Sequence, residues 1–187
     1  MSIDPQLYSE LKREILDARV LEAGEMVAAN GQLIGQKLEF DNVDQHSDLF
    51  YKIVAGLVEL ASSHDPDILI PVPEGANAYV KAMSEQMGNL EFVQLRKPEV
   101  ETEPFALQSQ RIGQLILRNK EKPFLVDDVF RTGSQLKRVM AMPEMQGKEI
   151  AAGVIWRRDD PDQTKRNTLK VYSLIHEYVP DFAERLE

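Results

Sequence analysis

At 187 residues, with 43% hydrophobic and 28% charged side chains, the chain has the size and make-up of one soluble globular domain with room for a small appendage. The absence of cysteine excludes disulfides, a thiol nucleophile and a zinc–thiolate centre. A formal net charge of −9 repels a nucleic-acid backbone; no apolar run approaches the roughly 18 residues of a membrane span; and Met1 to Pro5 lacks the order of a secretory signal.

A cytoplasmic protein without nucleic-acid or membrane partners is therefore expected. Residues 4–18 carry Leu7, Leu11, Ile15 and Leu16 at helical spacing, with Asp4 as N-cap and Pro5 at the first helical position. Glycines 24, 31 and 35 then break the pattern into short strands or a loop-rich cap. Residues 47–62 form the clearest amphipathic helix: Leu49, Phe50, Ile53, Val54, Leu57, Val58 and Ala61 share a face, and Ser47 caps it.

Beyond this point strands and helices alternate. Residues 67–72 form a short apolar strand closed by Pro73, Glu74 and Gly75, and a helix over 76–87 ends at Gly88. Leu90 to Leu95 is the next strand, and 98–114, rich in glutamate, proline and glutamine, is predicted to be a long mobile loop. Pro123 to Val126 is a buried strand, a helix starts near Ser134, and 150–156 and 169–174 are further strands. This alternation predicts an α/β fold, a mainly parallel central sheet flanked by helices. The division expected is a helix and hood over 1–45 and a core over 46–187, with 157–187 contributing to hood and sheet edge.

The strongest chemical signal spans Phe124 to Ser134: a buried strand delivers Asp127 and Asp128, and Thr132, Gly133 and Ser134 make a turn into a helix. Turn amides and the two hydroxyls form an anion site, and Gly133 permits close approach. Adjacent carboxylates would repel that anion unless ribose hydroxyls or a magnesium ion lie between them. A bland alternative is that both aspartates only cap the next helix.

This segment resembles the 5-phosphoribosyl-1-pyrophosphate (PRPP) motif of type I phosphoribosyltransferases, and the wider chain is most like the orotate phosphoribosyltransferases. Glu74, Gly75 and Ala76 look like that family's pyrophosphate loop, and Arg96 and Lys97 like its basic strand end. Val20 to Gly31 resembles the hood segment and Val171 to Ile175 the C-terminal strand, while Arg158 falls where the family places an arginine on the base carboxylate. The resemblance implies the type I phosphoribosyltransferase fold, a homodimer, and transfer of the phosphoribosyl group to a nucleobase in nucleotide biosynthesis, an orotate-like pyrimidine first. It implies that Asp127 and Asp128 hold the ribose and, directly or through water, Mg2+. Thr132, Gly133 and Ser134, with Arg131 as a further candidate, would hold the 5-phosphate.

Some positions depart from the family pattern. The loop from Pro98 to Pro104 has Val100 where a lysine is expected, no histidine, and glutamates at 99, 101 and 103. Ala29 and Gln32 stand for a hood lysine and arginine, and Arg131 for a small hydroxyl residue. A non-catalytic PRPP or nucleotide-binding regulator on the same fold is the alternative.

Overall fold

The computed structural model describes residues 5–18, 20–27, 33–73, 75–98, 100, 103–158 and 169–177. Helix α1 (Pro5–Asp17) buries Leu11 and Ile15, one turn apart on the same face. The glycine-broken stretch forms an antiparallel pair, β1 (Leu21–Val27) with β2 (Leu33–Leu38), whose register shifts between Ala23 and Met26. A 3-10 turn, Phe40–Asn42, then leads to α2 (Asp48–Ser62). Its cap is the expected one: Ser47 Oγ accepts the Phe50 amide at 3.1 Å. Phe50, Ile53, Val54, Leu57 and Ala61 are buried, with Leu49 and Val58 half-buried, as the 3.6-residue period requires.

The remaining elements are β3 (Ile68–Pro71), α3 (Asn77–Gln86), β4 (Leu95–Arg96), β5 (Ala106–Leu107), α4 (Gln110–Leu117), β6 (Pro123–Phe130), α5 (Ser134–Met140), a second 3-10 turn (Pro143–Met145), β7 (Ala151–Arg157) and β8 (Lys170–His176). The central sheet has the order β3-β6-β7-β8, and all its pairings are parallel. Its inner strands are apolar on both sides because helices cover both faces. On one face α2 and α3 pack against Phe124, Val126 and Ile155; on the other, α5 and the end of α4 pack against Ile70, Leu125 and Val154. Leu11, Ile15, Val20, Leu38 and Phe40 join the first of these layers. In β7, a Cβ at Gly153 would lie 2.7 Å from the Phe124 ring, so glycine there lets the ring cross the strand.

Three expectations need correction. The predicted 98–114 loop contains β5 and α4: Leu95 pairs with Leu107 and Arg96 with Ala106. Phe105, Leu107 and Leu117 are buried in the second layer, and Gly113 lets α4 settle on Leu107, which its Cβ would meet at 2.9 Å. The predicted strand over 90–95 reduces to a parallel bridge between Phe92 and Leu69, followed by the two-residue β4. Strand β6 runs on to Phe130, so both aspartates lie within the strand rather than beyond it.

From β3 the chain crosses the first face through α3 and returns at Phe92 on the outer side of β3. From β6 it crosses the second face through α5 to β7. The two connections diverge between β3 and β6. Such a switch point opens a crevice at the carboxyl ends of those strands, where open α/β sheets bind ligands.

Candidate active site

The crevice is built from the tip of β6 and the loop after β3. The Val72 amide donates to the Val126 carbonyl at 2.8 Å, which extends the β3–β6 ladder to the start of the turn. At Gly75 the loop backbone lies against Asp128: a Cβ built there would be 2.3 Å from Oδ2. Only glycine fits so close to a carboxylate. Two segments separated by some 50 residues of sequence thus meet at one point. Ala76 is buried beside Gly75 and its carbonyl receives the Val80 amide, starting α3. Glu74 lies outside the described residues.

Asp127 is 6% exposed, and its carboxylate accepts the Asp128 amide at 3.0 Å. Asp128 in turn accepts the Val129 amide at 2.7 Å. Burial pushes the Asp127 carboxyl well above its ordinary range; the charge of Asp128 adds to the rise, and the nearby Lys97 ammonium opposes it. Asp128 is also raised, mainly by burial, with the Val129 amide acting against the shift and the Asp41 charge adding to it. The protein's own groups therefore leave the pair short of compensating positive charge. A cationic or hydroxyl-rich partner would relieve it.

Past β6, Gly133 adopts φ 70°, ψ 14°, a left-handed conformation that a side chain disfavours. Thr132 Oγ1 donates to Ser134 Oγ at 3.2 Å and accepts the Ser134 amide at 3.4 Å. Both hydroxyl residues are exposed, Gly133 is buried, and Arg131 is half-buried. The turn therefore offers its polar groups outward next to the acidic pair. Arg96 ends β4 and Lys97 follows it, and both are exposed. Arg158 is buried just beyond β7, its amide donating to the Phe130 carbonyl at 2.7 Å.

Residues 41–184 match the phosphoribosyl transferase domain family. The chain belongs to that family. It is 22% identical over 144 residues to the orotate phosphoribosyltransferase of Sulfurisphaera tokodaii, covering 76% of this chain and 70% of that protein. Its fold resembles orotate phosphoribosyltransferase from Aeropyrum pernix, with a TM-score of 0.65 at 14% identity over 89% of this chain and 93% of that one. It also resembles adenine phosphoribosyltransferase from Thermoanaerobacter pseudethanolicus, with a TM-score of 0.61 at 15% identity over 88% and 99%. The mainly parallel sheet flanked by helices is the fold of these phosphoribosyltransferases.

Within this phosphoribosyltransferase fold, Tyr79 and Asp41 are electrostatic neighbours of Asp128 that sequence reasoning missed. The Tyr79 hydroxyl donates to the Phe40 carbonyl at 3.3 Å, and burial, then Asp128 and Asp41, raise its pKa. Its position in the first turn of α3, just beyond the Gly75 loop, is the signal that could have found it. Asp41 carries no such signal, because it follows β2 and comes within electrostatic reach of Asp128 through the tertiary fold alone. Among the described residues no three His, Cys, Asp or Glu side chains gather into a metal cage. The two hard, under-compensated carboxylates of Asp127 and Asp128 do fit a magnesium ion that takes its remaining ligands from water and substrate phosphates. No helix among the described residues is long and apolar enough to cross a membrane.

Proposed function

We propose that this phosphoribosyltransferase moves the 5-phosphoribosyl group of PRPP to a nucleobase, an orotate-like pyrimidine first, and releases pyrophosphate. The observation that carries this reading is the contact of the Gly75 backbone with Asp128 at the switch point, beside the Thr132 to Ser134 turn. In this reading the turn, with Arg131, holds the 5-phosphate. Asp127 and Asp128 accept hydrogen bonds from the ribose hydroxyls and favour positive charge on the sugar ring as the bond to pyrophosphate breaks. Glu74, Gly75 and Ala76, with Arg96 and Lys97, face the departing pyrophosphate, whose charge grows as it leaves. Magnesium held at Asp127 and Asp128 would offset part of that charge. Arg158 and the hood would select the base.

The division into a hood over 1–45 and a core over 46–187 is part of the proposal, and the family match beginning at residue 41 supports it. A homodimer in the cytoplasm, without nucleic-acid partners, completes it. The test is pyrophosphate release from PRPP and magnesium with a panel of bases. Release with orotate is expected, and silence with every base would reject turnover.

The glutamates of the 98–104 segment favour a second reading. The family resemblance sets this segment beside the leaving group, and Val100 is 52% exposed at the position of the expected lysine. Losing one charge-stabilising donor typically costs about 10²–10³ in rate. A regulator that binds PRPP without turnover predicts magnesium-dependent binding by calorimetry and no pyrophosphate release. Lack of binding would eliminate both readings.

A further inference from the structure

At the other end of the sheet, α4 and the segment before β7 border an open groove of about 700 Å³, lined by Arg111 and Leu115 of α4, by Arg118 just past its end, and by Pro143, Gln146 and Lys148. This is the size range of small-molecule sites. Arg111, Leu115 and Arg118 recur at the i, i+4, i+7 spacing of one helical face, so both arginines look into the same groove. Lys148 Nζ donates to the Leu117 carbonyl at 3.1 Å and also to the Lys120 carbonyl, just ahead of β6. These contacts place the groove at the amino ends of the strands, away from the acidic pair.

The charge of this groove is opposite to that of the whole chain. Three cations, Arg111, Arg118 and Lys148, face one carboxylate, Glu144, in a protein of net charge −9. That carboxylate is already used: Glu144 Oε1 accepts the amides of Gln110 at 3.3 Å and Gln114 at 3.0 Å. Among the described residues, neither the Arg111 nor the Arg118 guanidinium has a hydrogen-bond or ion-pair partner. Beside them Leu115 is 72% exposed, an apolar surface within the same groove.

We propose that this groove is a second anion site, taking a small molecule with a polyphosphate and an apolar or aromatic portion, such as a nucleoside polyphosphate. The two guanidiniums, about 10 Å apart at the backbone over seven residues of helix, bracket the phosphates. Leu115 and Pro143 pack against the apolar part. The site does not depend on the phosphoribosyl reading of the crevice. Because α4 follows β5, and Ala106 of β5 pairs with Arg96, a ligand here sits on the element that supports the basic strand end.

The test is calorimetric titration of the full chain with ATP and, separately, with inorganic pyrophosphate. ATP is expected to bind the wild type, and to bind the Asp128→Asn and Lys97→Ala variants equally well. The Arg111→Ala/Arg118→Ala double variant should bind ATP about tenfold or more weakly, because two charge-assisted contacts are lost. Alanine suits an exposed helix face, and an unchanged thermal melt checks that the variant folds. Weaker binding of pyrophosphate than of ATP shows the apolar portion contributing; equal binding would limit the site to the phosphates and overturn the apolar part of the proposal. No ATP binding by the wild type, undiminished binding by the double variant, or loss of binding in Asp128→Asn would each overturn the site.

Discussion

Position 75 shows how one atom can decide a site. The Gly75→Ala substitution would put a methyl group 2.3 Å from Asp128 Oδ2, so either the loop or the carboxylate must move. A displacement of about 1 Å at a reacting centre can cost 10²-fold, and we expect a loss of that order in PRPP-dependent activity or binding, with stability lowered by about 1–3 kcal/mol. Activity or calorimetry, paired with thermal melts, checks both. Asp127 gives a pH signature. Its folded pKa is raised, so between the ordinary carboxylate value of about 3.9 and that raised value the folded state binds more protons than the unfolded one. Stability of the ligand-free protein should therefore fall as pH rises through this window and then level off. Asp127→Asn keeps an acceptor for the Asp128 amide and removes the buried charge. Its melting temperature should match wild type near pH 4 and exceed it progressively toward neutrality, while ribose recognition weakens. A constant difference across pH would contradict this account.

At the scale of elements, α5 links the turn to the segment that precedes β5. Arg138 Nε donates to the Glu103 carbonyl at 2.9 Å, and the guanidinium lies 4.5 Å from the centre of the buried Phe105 ring. Arg138→Ala should loosen residues 103–107, seen as faster amide exchange there, while the β6–β7 ladder keeps its protection. Uniform exchange changes across the sheet would mean the contact is not local. The same region shows the limit of sequence reading for single elements. Helix α2 was legible because its apolar face repeats over four turns. Helix α4 was not, since only Gly113 and Leu117 are buried while Ile112 and Leu115 are exposed. A one-turn burial pattern is too short to show a period. What fixes α4 is the absence of a side chain at Gly113 above Leu107, a property of the pair that neither residue shows alone.

For the whole molecule, the N-terminal helix is bound into the core. Ile15 is 0% exposed and shares a buried cluster with Leu57 and Leu174, and the Tyr8 hydroxyl donates to the His176 carbonyl at 3.1 Å. Ile15→Ala should cost about 2–5 kcal/mol, read as a lower melting temperature in one transition that includes the hood. Two separate transitions would show the segment folding by itself. By itself the sequence determined the class of fold, through strands and helices whose burial period is local, and it located the acidic pair and its turn, because a strand, two carboxylates and a glycine turn are contiguous in the chain. Only the tertiary structure decided that Gly75 touches Asp128, that the charges of Asp128 and Asp41 act on Tyr79, and that Arg111 and Arg118 share a groove with Lys148. The reason is physical. Hydrophobic periodicity reports which face of an element is buried, whereas the meeting of distant side chains depends on strand order and crossover direction, which no local pattern encodes.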